Sequence, residues 1–111
     1  MSLHCAATLV VRTADTALAE IAALRERRVT ALYAEDDGHE LVAQIAGLLD
    51  LDILPVRVAP GTGRAFVHAN QTALQGISDL HRGETVVVVV DPAYRVDHLE
   101  VEIGDDGMHL R

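Results

Sequence analysis

The sequence predicts an α/β fold: a three-layer sandwich in which helices cover a mostly parallel sheet, with an edge antiparallel strand or hairpin at the C-terminus. Three observations carry that expectation. Thr85 is followed by five consecutive valines, Val86 to Val90, which leave no polar face. Such a run suits a central parallel strand buried on both sides. Ahead of it, short apolar runs alternate with segments whose apolar residues recur at helical spacing. Behind it, Leu99, Val101 and Ile103 alternate with His98, Glu100 and Glu102, so one face of that strand is wet.

The elements follow in order. Leu9-Val10-Val11 reads as a first strand, beginning near Ala7. Asp15 and Thr16 suit a helix cap, and Leu18, Ile21, Ala22 and Arg25 continue at helical spacing. Val29 to Ala34 is a second strand. Asp37-Gly38-His39-Glu40 resembles a capping box with Asp37 as the cap, opening a helix on Leu41, Ile45, Leu48 and Leu49. Val56-Arg57-Val58 reads as a third strand, entered through Pro55. Pro60-Gly61-Thr62-Gly63 is a turn-rich loop, and one helix is expected from about His68 to Leu80. The valine strand ends at Asp91-Pro92. Asp106-Gly107 is a turn signal before Met108-His109-Leu110. Leu99 to Ile103 is expected as an exposed edge, open to pairing with another chain.

A chain of 111 residues is one domain's worth, so residues 1–111 are read as a single domain. Half of it is hydrophobic, yet Tyr33, Phe66 and Tyr94 are its only aromatic residues. Its positive mean hydropathy of +0.20 excludes disorder. No apolar run reaches the length of a membrane span. Cys5, the one cysteine, excludes a disulfide scaffold. Without a secretory pattern near residue 1, that single thiol fits a reducing compartment, and a cytoplasmic protein is expected. The net charge is −8, and all nine cations are arginine. Arg25, Arg27 and Arg28 form the one basic cluster, at a helix end where the dipole favours cations. Nucleic acid and membrane surfaces are therefore poor partners.

Ligands of open α/β sheets bind at the carboxyl ends of the strands. Three such ends are legible: Arg12 to Thr16, Glu35 to Asp37, and Asp91 to Tyr94. If they converge, the mouth holds one arginine and several carboxylates. Arg12, Thr13, Asp15 and Asp91 are the candidate ligand-binding residues.

These segments resemble a known family. Arg12-Thr13-Ala14-Asp15-Thr16 after an apolar strand looks like a worn Arg-His-Gly-Glu-Thr motif, which opens the histidine phosphatase, or phosphoglycerate mutase-like, family. His81-Arg82-Gly83-Glu84-Thr85 and the valine strand resemble the family's His-Pro-Gly-Glu-Thr-Val and the apolar strand leading to Ser-His-Gly. Leu18 to Tyr33 and Val101 to Leu110 are similar to its first helix and second strand and to its final strand and turn. The resemblance implies a degenerate, truncated member. The family's nucleophilic histidine corresponds to Thr13 and its second histidine to Asp91, so these are degenerate catalytic positions. Arg12 matches its first phosphate-binding arginine. Glu35-Asp36-Asp37-Gly38-His39 lacks the second, and the chain is too short for the middle segment that carries the proton-donating acid. Phosphoryl transfer needs a nucleophile and positive donors. Thr13 has no evident base in the sequence, and acid replaces base around it.

The expectation is therefore a domain that is not an enzyme and has no cofactor or metal. It would act by binding a protein partner, itself or a small ligand at the strand ends. The alternative is a small hydrolase or phosphatase of altered mechanism using Asp91 and Arg12. A metal held by His98, Asp91 and Asp97 belongs to that alternative. The other histidines, including His4 beside Cys5, lack ligand spacing. Gly61-Thr62-Gly63-Arg64 lacks the lysine and glycine spacing of a P-loop.

Overall fold

The computed structural model describes residues 5–96 and 98–110. Among them are β1 (Ala7–Thr13), α1 (Ala14–Ala19), α2 (Ile21–Glu26), β2 (Val29–Ala34), α3 (Glu40–Leu49) and β3 (Ile53–Pro55). Then come α4 (Arg64–Ala69), α5 (Gln71–Leu80), β4 (Thr85–Val90), a 3-10 turn (Pro92–Tyr94), β5 (Leu99–Gly104) and β6 (Gly107–Leu110). One six-stranded sheet has the order β3-β2-β4-β1-β5-β6. β4 lies parallel between β2 and β1. β3 is parallel to β2, β5 is antiparallel to β1, and β6 is antiparallel to β5.

The valines of β4 divide between two cores. Val86, Val88 and Val90 pack with Leu9, Val11, Phe66, Leu74 and Ile77 under α4 and α5. Val87 and Val89 pack with Val10, Leu32, Val42 and Ile45 under α1, α2 and α3. The fold is thus the expected α/β sandwich of three layers. Beyond β1 the second helical layer stops. Leu99, Val101 and Ile103 of β5 enter the α5 side, while Glu100 and Glu102 face the other way.

Several boundaries differ from the sequence expectation. The third strand is Ile53–Pro55, not Val56–Val58; Val56 still donates to Ala34 O at 3.2 Å, but the chain then leaves the sheet. Val56 and Val58 remain half-buried against the α5-side core, so their apolarity reports packing rather than pairing. The expected helix from His68 to Leu80 is two helices. Asn70 is buried between them, donates to Phe66 O at 2.8 Å, and exchanges two hydrogen bonds with the Ala59 backbone. An amide that competes for backbone partners interrupts a helix. The cap of α3 is His39, not Asp37: its Nδ1 accepts from Leu41 N at 3.1 Å. The first helix breaks at Glu20 into α1 and α2. Finally, β5 is not an edge. It lies between β1 and β6, so the outer strands are β3 and β6.

Tyr33, His81 and Glu84 tie the start of β4 to β2. Tyr33 Oη lies 2.9 Å from His81 Nε2, and His81 Nδ1 lies 2.8 Å from Glu84 Oε1, which also accepts from Thr30 Oγ1. Burial pushes the Tyr33 phenol up. His81 first, and Thr30 second, hold the Glu84 carboxyl below the usual glutamate range. A carboxylate lowered by folding stabilises above its unfolded pKa, and that contribution is lost as pH falls through the lowered value. Glu84→Gln should therefore lower Tm near neutral pH. The gap from wild type should narrow in thermal melts carried to progressively more acid pH; a gap that stays constant would contradict this role.

Candidate functional site

The chain leaves β1 and β2 into helices on one face of the sheet, whereas Tyr94 and Val96, after β4, pack on the opposite face. A crevice opens between these exits, at the carboxyl ends of the strands. It holds about 80 Å³. Ala14, Glu35, Asp36, His39, Asp91 and Pro92 rim it, over Val42, Val89 and Val90. The three strand ends therefore converge as the sequence implies.

Arg12 does not join them. Its side chain lies on the other side of β1 and is 5 % exposed. Nη1 donates to Val11 O at 3.0 Å and Leu99 O at 2.9 Å, and Nε donates to Glu20 Oε2 at 2.7 Å. Glu100 Oε1 lies 4.0 Å from Nη2 and also pairs with Arg27. Glu20 Oε1 in turn meets His98 Nδ1 at 2.7 Å. This fork joins β1, β5 and the break between α1 and α2.

Thr13 is the residue before α1, and its hydroxyl donates to Asp15 Oδ1 at 2.6 Å. The sequence had offered this hydroxyl no base, yet a carboxylate is adjacent. That same hydrogen bond, however, holds the Asp15 carboxyl below its ordinary range, which makes it a weak base. Asp91 does reach the crevice. Its Oδ1 accepts from Ala93 N at 2.8 Å, and its backbone N–H donates to Glu35 Oε1 at 3.3 Å. Glu35 Oε2 accepts from Tyr94 Oη at 2.9 Å. The Glu35 carboxylate is the first cause, with burial second, that pushes the Tyr94 phenol above its ordinary value. Of the four candidate residues, Asp91 alone lines the crevice; Thr13 and Asp15 are bonded to each other, and Arg12 is turned away.

Among the described residues, no three His, Cys, Asp or Glu side chains come close enough together to hold a metal ion. His98 Nδ1 lies beside Glu20 Oε1, and the expected set of His98, Asp91 and Asp97 falls partly outside the described residues. Asp97 and His4 lie outside the described residues. Cys5 is exposed.

Sequence reasoning missed the roles of Glu20, His39 and Tyr94. Tyr94 closely follows Asp91 in the chain, but its partner Glu35 is 59 positions away, and only the sheet order brings them together. No protein family, curated protein or solved structure matches the chain.

Two variants probe this geometry. Arg12→Ala removes the Arg12 donor from Glu20 Oε2 and from two backbone carbonyls, leaving Glu20 only its His98 contact among the ion pairs of the described residues. Breaking a buried, hydrogen-bonded ion pair costs about 3 kcal/mol, to be read as a lower midpoint in urea unfolding. A change within error would place Arg12 outside the framework. Glu35→Gln should lower the Tyr94 phenol titration, followed by absorbance at alkaline pH, toward that of an ordinary tyrosine. An unmoved titration would contradict the Glu35–Tyr94 bond.

Proposed function

We propose that this chain is a catalytically degenerate, histidine-phosphatase-like domain that acts by binding rather than by phosphoryl transfer. One observation carries the reading. The strand-end crevice is rimmed by Glu35, Asp36 and Asp91, while Arg12 is spent inside the fold. A transferring phosphoryl group carries negative charge and needs donors aimed at it. Unit charges about 4 Å apart near a surface interact by roughly 4 kcal/mol, so carboxylates there oppose the phosphate itself.

The polar groups present already satisfy one another. Thr13 serves Asp15, Tyr94 serves Glu35, and Asp91 serves the backbone of Ala93. At about 80 Å³ the crevice is also far smaller than the roughly 300 Å³ and more of ordinary small-molecule pockets. A macromolecular partner fits the domain better than a small substrate. Its charge of −8 favours a basic one.

The test is hydrolysis of p-nitrophenyl phosphate by purified protein over a range of pH, with and without added divalent metal. No turnover above the buffer rate is expected. Turnover that disappears in Thr13→Val or Asp91→Asn, with the circular dichroism spectrum unchanged, would overturn the proposal.

A further inference from the structure

We propose that the outer edge of β6, with the groove beside it, is a docking site for an extended basic segment of a partner protein, which adds to the sheet as a seventh strand. The proposal rests on the reading of the chain as a binding domain and names the surface and the partner's chemistry.

β6 pairs with β5 on one side, and no described strand lies on its other side. An antiparallel edge presents alternate backbone N–H and C=O groups outward, ready to pair. Next to this edge is a groove of about 730 Å³ between β6 and the helices α4 and α5. Met108 and Leu110 form one wall, Val67, Thr72 and Gln75 line the other, and Gly76 leaves the floor open. A Cβ built on Gly76 meets nothing within 4 Å. Side chains of an added strand alternate between faces. Those on the α5 side would enter the groove, and the others would lie beside His109 on the uncovered face.

Charge selects the occupant. At the hairpin end of the groove, Asp79 and Asp105 share the single guanidinium of Arg82, at 3.2 and 2.8 Å. Asp106 meets only the imidazole of His109, at 3.2 Å, among the ion pairs of the described residues. Asp79 and Asp106 thus bring two carboxylates to this rim. A second copy of a chain carrying −8 would bring like charge to this rim, whereas lysines or arginines alternating with apolar residues match both the rim and the groove. With four residues in β6, the ladder is short, so groove filling and charge must supply much of the affinity.

The probe is a seven-residue peptide alternating lysine and valine, compared with a glutamate–valine peptide and with a lysine–valine peptide carrying a central proline. Binding is read by backbone amide shifts across the whole protein. The lysine peptide should shift the amides of Met108, His109 and Leu110. It should bind at least about tenfold more tightly than either control, and weaken as salt screens the rim. Gly76→Leu fills the groove on a helix position with open space, so the fold persists while binding should fall by about tenfold or more. Asp79→Lys with Asp106→Lys should abolish the preference over the glutamate peptide. Equal binding of the proline peptide, shifts away from β6, or binding unchanged in Gly76→Leu would overturn the proposal. So would protein-concentration-dependent dimerisation that protects the β6 amides without peptide. A chain with neither phosphate turnover nor peptide binding loses this site but keeps the binding reading; a chain with turnover loses that reading first.

Discussion

Val86 to Val90 have no polar side, and that constraint organises the rest of the molecule. A strand apolar on both faces needs an apolar layer on each, so β4 must lie inside the sheet between two helical layers. The chain meets this by building β1, β2 and β3 with their helices on one face, and returning along the other through α4 and α5 to insert β4 between β2 and β1. That insertion creates the reversal at which the crevice opens. The position of the candidate site is therefore a consequence of where β4 can be buried.

Arg12 marks the boundary of that arrangement. It stands beside β5, whose Glu100 reaches Arg27 at the end of α2. A guanidinium at such a place needs acceptors. It finds two backbone carbonyls and Glu20, with Glu100 close by. Replacing the pair with apolar groups is often neutral, but removing one member strands the other. The same residue that made the strand end look like an anion site is thus the one that locks β5 and the first helical pair onto β1.

Much of the architecture was legible because burial leaves a pattern. The valine run, the alternation of Leu99 to Ile103 and the helical spacing of Leu41, Ile45 and Leu49 record which faces are covered, whereas Leu48, expected on the same face, is 45 % exposed. The misplacements have a different origin. Val56 and Val58 are apolar because they pack on a core, and alternation cannot distinguish this from pairing. Asn70 breaks a helix through a bond to Ala59, a partner that no local pattern announces. At the site, the convergence of Glu35 and Asp91 followed from strand order, but the direction of Arg12 did not. Its parity along β1 puts it on the same face as Val10, Val42 and Val89, but its side chain reaches sideways to Glu20 and the Leu99 carbonyl of β5, and a motif read as a string of letters does not say which neighbouring strand a side chain reaches.

The balance between satisfied and open polar groups then separates the two surfaces of the domain. At the strand-end crevice Asp91 and Glu35 already accept hydrogen bonds from within the fold and Tyr94 Oη already donates to Glu35, so a ligand gains less there than at groups that have no internal partner. At the β6 edge the backbone groups face outward by construction, and the adjoining groove has Met108 and Leu110 on one wall and Val67, Thr72 and Gln75 on the other. Among the described residues, no strand stands in the way of pairing there. For a domain with a full interior and a small crevice, the unpaired edge is where new contacts can be added without dismantling old ones.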